Sequence, residues 1–390
     1  MICSRRTLLR LGLGPLVVAA QSTAAAVEPV WTGPDDVDAF SVLGDDIVTA
    51  GDYLRVLDST TGQQQRSGRL RRPSNAEGPE EIAVSASTIV FGWYVWYDDV
   101  YIFCADPRTL RVEWQRRIKI VERERENIPY VYPLVTADGI FVLISNKSSE
   151  NLFRLRRDNG NIVWSRHIGR FAVRRAVAWH GNRLLVRSRV TRGAQASGDL
   201  HSIDPDTGST MWQLRLEGHD QARGDMTLIV DRRGYIAAPV YPGQASRLHI
   251  VDLAAGSLIK SVTIERLGEP FAYDDGIIYF GGNTPTALDV ATQRPIWRTD
   301  LMRRDGRLLS ISDAVFDAAR RRIYIGEFHS SFFVLSSTDG AVLGSIDVRR
   351  GATSPKLMAL YGAGPMMLLR DLLLVGAGDR RLLSFATAAL

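Results

Sequence analysis

The chain has 390 residues, 45% of them hydrophobic, and a formal charge of +5. Arg5, Arg6 and Arg10 lie in an N-terminal segment read below as a signal; without them the charge is +2, and the remaining basic pairs, such as Arg303-Arg304 and Arg349-Arg350, are scattered, which argues against the one-sided basic surface that nucleic acid needs. Cys3 leaves with the same segment, so Cys104 stands alone and excludes an intrachain disulfide.

Ser4-Arg5-Arg6-Thr7-Leu8-Leu9-Arg10 is followed by an apolar core, Leu11 to Ala20, and by Gln21-Ser-Thr-Ala-Ala-Ala26. This is the pattern of an export signal over residues 1–26. The paired arginines before Leu-Leu resemble a twin-arginine signal, a route for folded proteins; an ordinary secretory signal is the other reading. Residues 27–390 are then expected to be one periplasmic or secreted domain. No later segment has the apolar length to span a bilayer, since Leu357 to Val375 is broken by Gly362, Pro365, Arg370 and Asp371. The stretch that ends the apolar core, Gln21 to Ala26, offers no cysteine to take a lipid.

Beyond the signal one unit recurs, clearest in Leu200-His-Ser-Ile-Asp-Pro-Asp-Thr-Gly-Ser-Thr-Met-Trp212. It is an apolar strand, an Asp, a turn with Gly, and a strand carrying Trp. The strand-ending positions are Asp58, Asp106, Arg156, Asp204, Asp252, Asp289, Ser336 and Ala386. Such a ladder marks a repeat architecture. Alternation in Val100-Tyr-Ile-Phe-Cys104 and Arg247-Leu-His-Ile-Val251 predicts strands. Asp caps its own turn, and Gly62, Gly160, Gly208, Gly256 and Gly340 supply the chain reversal. Trp114, Trp164, Trp212 and Trp297 follow, as side chains suited to packing between sheets.

Upstream of each hairpin lies a second strand pair, such as Phe271 to Gly276 followed by Ile277 to Phe280. Each repeat therefore holds four antiparallel strands, one propeller blade. The last repeat has no room for its outer strand, and Glu28-Pro-Val-Trp-Thr-Gly33 offers one, with Trp31 in the expected place. The expectation is an all-β, eight-bladed β-propeller closed by this N-terminal outer strand.

The pattern resembles the repeat of pyrroloquinoline-quinone (PQQ)-type propellers over nearly all of residues 27–390. Among them it is similar to the small periplasmic propellers, such as the subunit of the outer-membrane β-barrel assembly machine. The resemblance implies the propeller fold, which hosts many functions. Alcohol-oxidising members place PQQ beside a vicinal Cys–Cys ring, with calcium held by carboxylates and Asn. A chain with Cys104 alone cannot form that ring, so no cofactor is expected. A PQQ- or metal-dependent oxidoreductase, with PQQ and calcium, is the alternative.

Other chemistry is weak in this sequence. His201 and His249 occupy equivalent slots in adjacent repeats, where Phe103, Phe153 and Phe333 stand elsewhere, so they read as packing residues and no metal site is expected. No nucleophile-elbow sequence appears, so no catalytic residue is assigned. The candidate binding segment is Trp93-Tyr94-Val95-Trp96-Tyr97-Asp98-Asp99, between the second and third strands of blade 2, together with Tyr130 and Tyr132. Aromatics beside carboxylates suit a sugar, a peptide or a partner's strand. The other reading is that Trp93 and Trp96 cap the blade or prolong its hairpin. The sequence thus points to a monomeric, non-catalytic scaffold whose uneven loops meet a protein partner.

Overall fold

Branched and aromatic residues in alternation fold into short antiparallel strands, and the described residues contain no helix. The computed structural model describes residues 27–71, 73, 76–79, 81–95, 99–119, 130–145, 149–169, 177–190, 197–217, 228–238, 245–301, 311–327, 331–348, 365–377 and 380–390. Its strands form eight separate antiparallel sheets. The export-signal segment, 1–26, lies outside the described residues.

Blade 3 illustrates the unit. Its strands, from the axis outward, are Tyr130–Thr136, Gly139–Ser145, Glu150–Leu155 and Ile162–Gly169. The middle strands are buried on both faces, so Gly139–Ser145 reads Gly-Ile-Phe-Val-Leu-Ile-Ser with every residue buried. Inner strands touch their counterparts in neighbouring blades: Ile82–Ser85 of blade 2 contacts both Val37–Leu43 of blade 1 and Tyr130–Thr136 of blade 3. Blade 2 has its inner strand in two pieces, Ala76–Glu77 and Ile82–Ser85, both paired with Thr88–Val95.

The ring closes through the N-terminal strand. Trp31 and Thr32 pair with Ser384 and Leu383 of the last blade. The Val30 and Gly33 amides donate to the Ser384 and Leu382 carbonyls at 2.7 and 2.8 Å. Across the seam, Arg380 donates to both carboxylate oxygens of Asp38, at 2.6 and 2.8 Å.

Neighbouring blades are joined by a recurrent latch. The indole of each outer-strand Trp lies on the turn glycine of the next blade: Trp31 on Gly62, Trp114 on Gly160, Trp164 on Gly208, Trp212 on Gly256 and Trp297 on Gly340. A Cβ on any of these glycines would fall 2.4–2.7 Å from an indole carbon. Four of the five indoles also donate Nε1–H across the seam, to Ser59, Arg157, Pro205 and Ser337 carbonyls at 2.7–2.9 Å. Asp204 orders the turn beneath, with Oδ1 accepting from the Asp206 and Thr207 amides at 2.9 and 2.8 Å.

The glycine has two reasons, and the exceptions separate them. Leu110 and Gln293 occupy the same turn position with φ of 56° and 57°, so the left-handed backbone alone does not demand glycine. Their preceding blades carry Arg66 and Lys260 where the five latching blades have Trp. Glycine is present where an indole needs the room.

Gly340→Ala is therefore expected to cost about 2 kcal/mol or more, from left-handed strain plus collision with Trp297. Gln293→Gly, where no indole sits, should be neutral or stabilise by up to about 1 kcal/mol. Denaturant midpoints of the two variants decide this; an unaltered midpoint for Gly340→Ala would refute the latch.

Candidate functional site

In each blade, one face of the ring carries the turns from first to second and from third to fourth strand. The other, here the upper face, carries the second-to-third connections and the links between blades. The first-to-second turns below vary little: 44–45, 86–87, 137–138, 181–182, 231–232, 275–276 and 370–371 each span two residues, and 318–321 of blade 7 spans four. The upper second-to-third connections run from Asp52 alone in blade 1 to 191–196 in blade 4 and 239–244 in blade 5. Links between blades run from 266–269 to 348–365. Variation in length is concentrated on one face.

Of the aromatic run of blade 2, Trp93 and Tyr94 are described, and they lie at this end on opposite faces of the blade. The second strand continues through Thr88–Val95, so the hairpin is prolonged and alternate residues point to opposite seams. Trp93 is fully buried toward blade 1, edge-on to Phe91 and Phe103 with centroids 5.8 and 4.9 Å away. Tyr94 faces blade 3 and packs in an apolar cluster with Val100, Ile118 and Val131. Asp99 opens the third strand, buried, with its carboxylate paired to Arg117. Trp96, Tyr97 and Asp98 lie outside the described residues. Tyr130 and Tyr132 do come together, stacked at 6.3 Å, in the seam between blades 3 and 4.

That seam holds a polar group the sequence reading passed over. Across blade 3, Tyr130, Ser145, Glu150 and Gly169 stand opposite one another in register, forming its topmost row toward blade 4. Glu150 is fully buried, and among the described residues neither carboxyl oxygen has a hydrogen-bond partner. Burial pushes its carboxyl well above the usual carboxylate range. Facing it from blade 4 is Ser188, whose Cβ would lie 2.9 Å from a Cβ on Gly169, with Glu150 Oε2 3.5 Å from the same point. Ser188 Oγ is hydrogen-bonded to His201 Nε2 at 2.8 Å. Burial drives the His201 imidazole down to about 4, so it is neutral near pH 7. Asp199, also buried, accepts from Gln213 at 2.7 Å and pairs with Arg215. A comparison of repeat slots carries the missed signal: the position of Glu150 is filled in blade 2 by Val100.

Other candidate chemistry is accounted for by packing. His249 is buried and bonded through Nδ1 to Ser261 Oγ at 2.8 Å. The Cys104 thiol is buried and pushed up to about 12, by desolvation first and then by Glu113. Among the described residues, no three His, Cys, Asp or Glu side chains are placed to share a metal ion. A cavity of about 650 Å³ lies at the lower end of the inner strands of blades 5 to 7, lined by Leu228, Val230, Phe271, Tyr273, Val315 and Phe316 among others.

The family model described as outer membrane protein assembly factor BamB matches residues 54–299 and 198–388. No curated protein sequence matches the chain. Among solved structures, BamB from Moraxella catarrhalis superimposes with a TM-score of 0.63 at 14% identity, covering 93% of this chain and 100% of that one. Sqt1 from Saccharomyces cerevisiae gives 0.59 at 9% identity, covering 93% and 99%. A europium-containing methanol dehydrogenase gives 0.60 at 12% identity, covering 92% and 93%. At these identities the structures share a fold, and one fold hosts many functions. The model matches span the repeats from blade 1 to blade 8, and the chain belongs to the PQQ-like propeller family that this BamB model describes.

Proposed function

We propose that the protein is a periplasmic, non-catalytic binding or assembly scaffold that presents the upper face of its propeller to a protein partner. The observation that carries this reading is the contrast between faces: first-to-second turns below span two residues in every blade but the seventh, while connections above differ from blade to blade. The third-to-fourth turns below also keep one spacing, each closed by an amide bonded back to the strand-ending carbonyl, as Gly62 to Asp58 and Gly340 to Ser336, and five of them receive an indole. Upper connections are free of that constraint, and repeat proteins place partner contacts on such variable faces. Membership of the family described as BamB supports an assembly role.

The alternative, a PQQ- or metal-dependent oxidoreductase, draws on the fold shared with a methanol dehydrogenase. The described residues do not fit that group: Cys104 is a single buried thiol, and no described carboxylate cluster suits calcium. The experiment shortens 191–196 to a two-residue turn and compares capture of periplasmic partners with the parent chain. The expected result is loss of capture with an unchanged melting temperature. Stoichiometric PQQ or calcium in the purified protein, with dye-reducing activity, would overturn the reading.

Export is the other half of the proposal. Residues 1–26 are read as a twin-arginine signal, so Arg5→Lys with Arg6→Lys should leave the protein in the cytoplasm. Fractionation that finds the double variant still exported would reject that route.

A further inference from the structure

We propose that the seam between blades 3 and 4 is a pH-sensitive joint, closed when Glu150 is protonated and loosened at its upper end when Glu150 ionises. The geometry is a carboxyl with no exposed surface and no described hydrogen-bond partner, set where the apolar stacking of two blades meets the face with uneven connections. An ionised carboxylate in such a place is tolerated only with a partner or with water, and water enters only if the blades part.

The charged and titratable groups around the joint decide the direction. From blade 3, the first strand brings Tyr130 and the outer strand brings Arg166, whose guanidinium donates to the Gly208 carbonyl of blade 4 at 2.7 Å. From blade 4 come His201, neutral and bonded to Ser188, and Asp199 with its partner Arg215. Arg166 and Arg215 are thus committed to other acceptors, and Asp199 brings a second negative charge to the same seam. In blade 2, Val100 fills the equivalent slot between Tyr94 and Ile118, and that seam has no such joint.

Glu150 and His201 bias the fold in opposite directions. Glu150 holds its proton more tightly in the folded chain, so its contribution is complete below the ordinary carboxylate range and is lost as pH rises. His201 is held neutral, so its contribution is complete above the ordinary imidazole value of 6.5 and is lost as pH falls toward about 4. The variant that isolates the joint is Glu150→Gln, which keeps the shape and cannot ionise.

The test measures the melting temperature of the purified chain and of Glu150→Gln from about pH 4.5 to 8. The two should nearly coincide at the acid end. The variant should then gain on the parent by about 1–3 °C per pH unit as the parent's carboxyl is forced toward ionisation. Hydrogen exchange, corrected for intrinsic rate, should show Glu150–Leu155 and Ser197–Ile203 opening more often at high pH in the parent and not in the variant. A constant difference between the two melting profiles would overturn the proposal. So would failure of Glu150→Gln to fold, since that would mean the carboxylate is held by a partner it needs.

Discussion

The structure depends on one contact, an indole laid against a glycine that has no side chain to keep it away. A four-stranded blade buries its middle strands but cannot bury its two faces alone. Each face is covered only by the next blade, so the ring is as stable as its seams. The Trp–Gly contact sets the distance and tilt of a seam at its outer, lower corner. The Nε1–H bond to the adjoining carbonyl fixes its rotation, as with Trp164 and Pro205 at 2.9 Å. Trp212 varies the theme: its indole covers Gly256, yet among the described residues its Nε1 has no hydrogen-bond partner, and the Leu253 carbonyl at the corresponding place accepts from Arg183 at 3.4 Å.

This constraint divides the molecule into a fixed face and a free one. Turns that receive an indole must keep their length, their left-handed residue and their carbonyl geometry. The connections above receive nothing of the kind, so insertions there do not disturb the seams. The N-terminal strand completes the scheme: Trp31 supplies the latch for blade 1 while its backbone supplies the missing edge of blade 8. The functional reading rests on the unequal connections of the free face.

The ladder of strand, Asp, Gly and Trp was legible because each element acts within a single hairpin, at fixed spacing. The clasp was legible by subtraction, from a final repeat too short for four strands. The fate of Trp93 and Tyr94 was not, because neighbours in a strand go to opposite seams once the hairpin is prolonged to Val95. Two adjacent aromatics that suggest one surface in sequence thereby enter two different interiors. Glu150 was missed for a related reason. Its burial comes from blade 4, whose contact is made only when the ring has closed, and the sole local sign is a charge in a slot that blade 2 fills with Val100.

The central claim is that the turn glycine and the indole of the preceding blade are one energetic unit. A double-mutant cycle on Trp164 and Gly208 measures this directly, using Trp164→Ala, Gly208→Ala and the pair. The account predicts that Gly208→Ala costs less by at least about 1 kcal/mol once the Trp164 indole is gone, leaving mainly the left-handed backbone strain. Costs that add to within about 0.5 kcal/mol would show that glycine serves the turn alone, and would contradict the account.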